Sequence, residues 1–127
     1  MTRFLDDARQ AAQHMREVFP ETPLLRNAHL SERFGAEIWL KREDLSPVRS
    51  YKLRGAFNAM SKRPEADLFV AASAGNHAQG VAFACARTGV RARVFLPRTT
   101  PRQKRERIAV LGGELVDVVV GGDTYDD

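Results

Sequence analysis

The chain has 127 residues, 43% hydrophobic and 28% charged, an ordinary globular composition for one domain or part of a larger one. Twenty Lys and Arg against sixteen Asp and Glu leave a formal charge of +4. So small an excess points to nucleic acid only if the basic residues cluster.

Met1–Asp7 has acidic residues early and no apolar core, which argues against a signal peptide. No segment reaches the roughly 18 apolar residues of a membrane span, so the chain is read as cytoplasmic, with no membrane partner. Residues 4–19 place Phe4, Leu5, Ala8, Ala11, Ala12, Met15 and Val18 near helical spacing, and Pro20 closes the run. Thr22–Leu25 reads as extended, because Pro23 disfavours helix at Thr22. A short helix is expected over Ala28–Phe34, stopped by Gly35. Glu37–Lys41 suits a strand with Ile38 and Leu40 on one face and Trp39 on the other. Asp44–Ser50, with Pro47, reads as a loop, and a helix over Tyr51–Ser61 puts Lys52 at its start.

After Pro64 the pattern changes to an open α/β unit. Leu68–Ala72 is a short apolar run with the length of a buried strand, and Ser73–His77 leads into a helix that Gly89 ends near Thr88. Cys85 is the only cysteine, so no intrachain disulfide can form. Its small apolar neighbours, Val81–Ala86, indicate a buried structural thiol rather than a nucleophile. Arg93–Leu96 is a second strand, broken by Pro97. Pro101–Leu111 is a helix with Pro101 near its first turn, and Gly112-Gly113 stop it before a third strand, Leu115–Val120. Strand–helix–strand–helix–strand at this spacing is a parallel sheet joined by right-handed crossovers. The basic cluster Arg98, Arg102, Lys104, Arg105 and Arg107 reads as a solvated helix face, not a nucleic-acid surface. Thr124 is placed to cap a further helix.

Two places carry residue types suited to chemistry. Ser73-Ala74-Gly75-Asn76-His77-Ala78-Gln79-Gly80 is a small-residue turn at the carboxyl end of a parallel strand, where ligands bind in open α/β sheets. Its helix start suits an anion such as a carboxylate or phosphate, although a plain helix cap explains the same residues. It is not a P-loop. Lys52 lies two residues after Ser50 and three before Gly55, beside apolar Leu53, Ala56 and Phe57. Most helix lysines are solvated surface residues. A lysine held in an apolar pocket near a helix N-terminus instead has its ammonium form disfavoured and can condense with an aldehyde. His77 is read as a structural hydrogen-bonding residue, and His14 and His29 are isolated. No His/Cys/Asp/Glu spacing suggests a metal site.

Lys41-Arg42-Glu43-Asp44, then Ser50-Tyr51-Lys52-Leu53-Arg54-Gly55-Ala56, then Ser73–Gly80, resemble three consecutive blocks of the threonine dehydratase family, of the β-eliminating fold type (fold type II) of pyridoxal-phosphate enzymes. Thr22-Pro23-Leu24, Phe95–Pro101 with Lys104-Arg105, and Leu111–Glu114 resemble further segments, so the likeness runs from about residue 20 onward. It implies pyridoxal 5'-phosphate as cofactor, with Lys52 as the Schiff-base lysine and the base at the substrate α-carbon. Asn76 would hydrogen-bond the cofactor's ring hydroxyl, and Ser73, Ala74, Gly75, Asn76 and His77 would grip the substrate carboxylate. The implied reaction converts L-threonine, and L-serine, to a 2-oxo acid and ammonia, as in isoleucine biosynthesis. Serine racemases resembling this family carry a serine where this chain has Ala74, which disfavours racemization. The family's glycine-rich phosphate loop lies further along than this sequence reaches. The expectation is therefore an N-terminal fragment of a homo-oligomeric enzyme, with little activity alone and in need of its missing C-terminal half. It would divide into residues 1–65 of the large domain and a truncated small domain, 66–127. The alternative is a non-catalytic, truncated or split-half module that pairs with a complementary chain.

Overall fold

The computed structural model describes residues 2–124; Met1, Tyr125–Asp127 and any helix that Thr124 would cap lie outside the described residues. Helix α1 spans Thr2–Arg16, three residues short of the expected end. Pro20 keeps Phe19 out of the α region, and the chain turns instead, with the N–H groups of Val18 and Phe19 both donating to the Met15 carbonyl at 3.0 Å. Of the expected apolar face of α1, Met15 is buried with Phe19 beyond the helix, and Ala11 packs against that core. Phe4 and Leu5 stand in solvent.

Strand β1 (Leu24–Arg26) pairs antiparallel with β2 (Trp39–Lys41) as a separate two-stranded sheet. Between them, α2 (Ala28–Phe34) starts at Asn27, whose side chain accepts from the Leu30 N–H, and ends at Gly35 with φ 60°. Strand β2 is shorter than expected, and Trp39 lies on its exposed side while Ile38 and Leu40 are half-buried. A single 3-10 turn, Glu43–Leu45, leads through the loop to α3 (Lys52–Ser61).

The second half is the expected α/β unit: β3 (Leu68–Ala72), α4 (Asn76–Thr88), β4 (Arg91–Leu96), α5 (Arg102–Gly112), then β5 (Val116–Val120). The three strands are parallel in the order β3-β4-β5. Because that order never reverses, right-handed crossovers put α4 and α5 on the same face. Alternation along β4 follows: Ala92, Val94 and Leu96 are buried towards the helices, while Arg91, Arg93 and Phe95 are exposed. Leu115, expected to open the third strand, instead ends a 3-10 turn over Gly113–Leu115, and β5 begins at Val116.

Helix α4 is the centre of the molecule. Ala78 to Cys85 are all buried, the mark of a helix covered on every side. The sheet and α5 cover one flank and α3 the other, and small residues let all three approach. One continuous cluster results, running from Met15 and Leu53 through Ala82 to Val94, Ile108 and Val116. Each large apolar side chain wholly buried there, such as Leu53 or Ile108, contributes about 1.5–3 kcal/mol. Cys85 lies within it, fully buried, and burial pushes its thiol up to about 11. It is a packing residue.

Candidate functional site

Lys52 opens α3 and Asn76 opens α4, and a glycine brings the two helix starts together. A Cβ on Gly80 would lie 3.1 Å from the Lys52 carbonyl oxygen and 3.2 Å from the Leu53 nitrogen. A side chain there would press on the α3 backbone, and glycine lets that backbone come this close without displacement. Asn76 and Gly80 are four residues apart on one helix, hence on one face and one turn, about 6 Å, apart. The Asn76 end of α4 therefore rises one turn beyond the point where the Lys52 backbone rests.

Lys52 is exposed, with its Nζ 5.3 Å from the centroid of the Tyr51 ring. This corrects the apolar pocket expected around it. Leu53, Ala56 and Phe57 are indeed apolar and buried, but the face they form is centred near Leu53 and Met60, about a quarter-turn round the helix from Lys52, which sits at its edge and turns to solvent. Its sequence neighbours do not enclose the side chain within this chain.

The loop before α3 is clasped shut. Ser46 Oγ accepts from the Ser50 N–H at 2.9 Å and donates to the Ser50 carbonyl at 3.1 Å, and Ser50 Oγ in turn accepts from the Lys52 N–H at 3.2 Å. Val48 is buried inside the loop, and Arg49 takes a positive φ of 56° to close it.

Behind Lys52, Arg54 makes a two-pronged contact with Glu43, its Nε donating to Oε2 at 3.0 Å and its NH2 to Oε1 at 2.9 Å. Thr22 Oγ1 donates to Glu43 Oε1 at 2.7 Å and accepts from Arg54 at 3.1 Å, and Lys41 Nζ donates to the Thr22 carbonyl. Burial alone would raise the Glu43 carboxyl. The hydrogen bonds from Arg54 and Thr22, with the charges of Arg54 and Lys41, outweigh it and hold the group below its ordinary value. Sequence reasoning gave none of these residues a role. The available signal was that Thr22, Glu43 and Arg54 each fall inside a separate recognisable block.

The Ser73–Asn76 turn leaves the end of β3, with the Ser73 N–H donating to the Phe95 carbonyl and the Gly75 N–H to Ser73 Oγ at 3.3 Å. Gly75 is the N-cap of α4 and has no side chain with which to cap it. The first turn of α4 can thus present N–H groups to an anion. Ala74 is buried, Ser73 and Gly75 are half-buried, and Asn76 and His77 are exposed. A groove of about 340 Å³ lies at the carboxyl ends of the strands, lined by Ala72, Phe95, Leu96, Pro97, Gly121 and Gly122. Lys52 and Asn76 do not line it. Among the described residues, no group of three or more His, Cys, Asp or Glu could hold a metal ion, and no helix is long and apolar enough to cross a membrane. Most of the basic cluster near α5 is solvated: Arg102 pairs with Glu106 at 2.6 Å and is exposed, whereas Arg105 is half-buried and Arg107 donates to Gln79 at 2.9 Å.

An accessible amine at one helix start, an amide at the start of the neighbouring helix, and uncapped N–H groups beside it form a set that fits an aldehyde cofactor with a polar ring. The family model of pyridoxal-phosphate dependent enzymes matches residues 16–127, and the chain belongs to that family. Among its relatives, the biosynthetic L-threonine dehydratase of Bacillus subtilis is 49% identical over 121 residues, covering 93% of this chain and 29% of that protein. The processed form of threonine deaminase isoform 2 from Solanum lycopersicum superposes with a TM-score of 0.77 at 44% identity, over 87% of this chain and 30% of the other. Serine racemase from Dictyostelium discoideum superposes with a TM-score of 0.85 at 29% identity, over 95% and 40%. The chain spans under a third of the length of the curated relative it matches.

Proposed function

We propose that this chain carries the lysine and the substrate-carboxylate turn of an ammonia-lyase that acts on L-threonine and L-serine, yielding a 2-oxo acid and ammonia. Residues 1–65 would belong to the large domain of such an enzyme and residues 66–127 to its small domain. The observation that carries the reading is the contact at Gly80, which stacks the start of the Lys52 helix one turn below Asn76. The likeness to proteins named threonine dehydratase and threonine deaminase supports the choice of substrate.

Pyridoxal phosphate, when bound, supplies an electron sink that eases loss of the α-proton. Lys52 would hold the cofactor and then serve as the base that takes that proton at its Nζ. Asn76 would orient the ring through its hydroxyl. The turn Ser73–His77 would bind the substrate carboxylate through backbone N–H groups at the start of α4. His77, exposed on that turn, would help hold its shape.

The serine racemase likeness shows that the fold alone does not select the reaction. Ala74, buried in the turn, has only a methyl group where a hydroxyl could return a proton from the opposite face, and this favours elimination. A second reading, a non-catalytic half that pairs with a complementary chain, is supported by the short coverage of the relatives.

The test is direct. The chain is incubated with pyridoxal phosphate, reduced with borohydride and mapped by peptide mass spectrometry. Lys52 is expected to be labelled about fivefold over Lys62 and Lys104, and Lys52→Ala to abolish the excess. Even labelling of the lysines would overturn the assignment. Turnover of threonine by this polypeptide alone is expected to be slight. Adding the complementary chain is expected to restore it, and good turnover without that partner would contradict the need for a second half.

A further inference from the structure

We infer that Glu43 and Arg54 are positioning residues for Lys52, a claim that rests on the role of Lys52 proposed above. The exposed lysine stem is flexible, so the fold controls its reach only by fixing where the stem begins. That point is bracketed. Two residues before it, Ser50 is held through both its N–H and its carbonyl by Ser46 Oγ. Two residues after it, Arg54 is held by both oxygens of Glu43. A planar fork on a carboxylate fixes direction as well as distance, which a lysine ammonium in the same place would not.

The ionic character of this anchor is itself informative. Glu43 keeps only 19% of its side chain exposed and Arg54 31%, so both charges lose much of their hydration. A pair this buried brings little net stability over an apolar contact. What it does bring is a single geometry. Its partners come from separate parts of the chain: Thr22 before β1, Lys41 at the end of β2, and Phe19, whose ring lies 5.7 Å from the Arg54 guanidinium carbon. The Gly80 contact sets how far α3 stands from α4. The fork sets where along α4, and at what rotation, the first turn of α3 comes to rest.

The borohydride labelling described above gives the readout, with Lys62 and Lys104 as controls inside the same molecule. Each variant is assayed well below its own melting midpoint, after circular dichroism has shown wild-type helix content. Arg54→Lys, which keeps the charge and loses the fork, and Glu43→Gln are each expected to lower the Lys52 preference from about fivefold to near parity with the control lysines. Asp44→Asn, which breaks the exposed Arg42–Asp44 fork nearby, is expected to leave it unchanged. Should both variants fail to fold, Thr22→Val, which removes a single hydroxyl from the cluster, is expected to lower the preference about threefold while still folding. A wild-type preference that survives Arg54→Lys and Glu43→Gln overturns the inference, as does failure of all three variants to fold, since the cluster would then be structural. Absence of any preference in the wild type instead sinks the role of Lys52 itself.

Discussion

Glu43 keeps its charge where burial alone would favour the neutral acid, because Arg54, Thr22 and Lys41 all bind or attract the carboxylate. Its folded pKa lies below the ordinary value of 4.5, so the folded state binds fewer protons at this group than the unfolded chain does. Stability from the pair is therefore complete above the unfolded value and is lost as pH falls through the folded one. Glu43→Gln keeps the shape and removes the charge. It is expected to cost about 1–3 kcal/mol at pH 7. Urea titrations of variant and wild type should converge as pH falls from 4.5 through the lowered folded value. A gap that stays constant from pH 7 to pH 3 would mean that the carboxylate charge is not what the cluster uses. Lys52 teaches the opposite lesson about local sequence. Its apolar neighbours in the chain were legible, but whether they surround the amine depends on which helix face each one occupies. Leu53, one residue on, points about 100° away, and Ala56, although it shares a face with Lys52, is too short to enclose the amine.

At the scale of elements, periodicity and punctuation carried most of the fold. Helices α2 and α4 end at Gly35 and Gly89 in left-handed backbone, as the sequence predicts, and the parallel order of β3, β4 and β5 follows from strand–helix spacing. Tertiary geometry was the part not legible. By propensity alone a glycine at position 80 weakens the helix, since Ala is better there by about 1 kcal/mol. Against α3 it is the point of closest approach, with backbone atoms at 3.1 and 3.2 Å from an added Cβ. Those atoms belong to a first turn clasped by Ser46 and by the Glu43 fork, and cannot give way cheaply. The contact should thus outweigh the propensity gain, and Gly80→Ala is expected to destabilise the fold by about 1–2 kcal/mol. That corresponds to a loss of about 4–7 °C in melting temperature. A higher melting temperature would show that α3 can shift, and that the Gly80 contact does not fix the two helix starts.

At the scale of the whole molecule, the sheet is covered on one face only. Towards α4 and α5 the strands bury Ala92, Val94, Leu96 and Val116, whereas on the other face Val70 is 65% exposed and Phe95 42%. The strand register places Phe95 opposite Ala72 and Val70 opposite Arg93, so the open face has an apolar end and a charged end. Water tolerates scattered apolar residues on a surface, but a contiguous apolar area favours association. A formal charge of +4 opposes association only through long-range repulsion, which salt screens within about 8 Å at physiological ionic strength. The chain is therefore expected to self-associate increasingly as salt and protein concentration rise. Val70→Thr combined with Phe95→Thr places a residue of good strand propensity at both exposed positions, so the sheet itself should lose less than about 1 kcal/mol. Removing the two apolar side chains should shift sedimentation towards a single species of the chain's own mass, 14.2 kDa. If the double variant associates as strongly as the wild type, the sticky surface lies elsewhere, and the exposed Phe4 and Leu5 of α1 are the next to be changed.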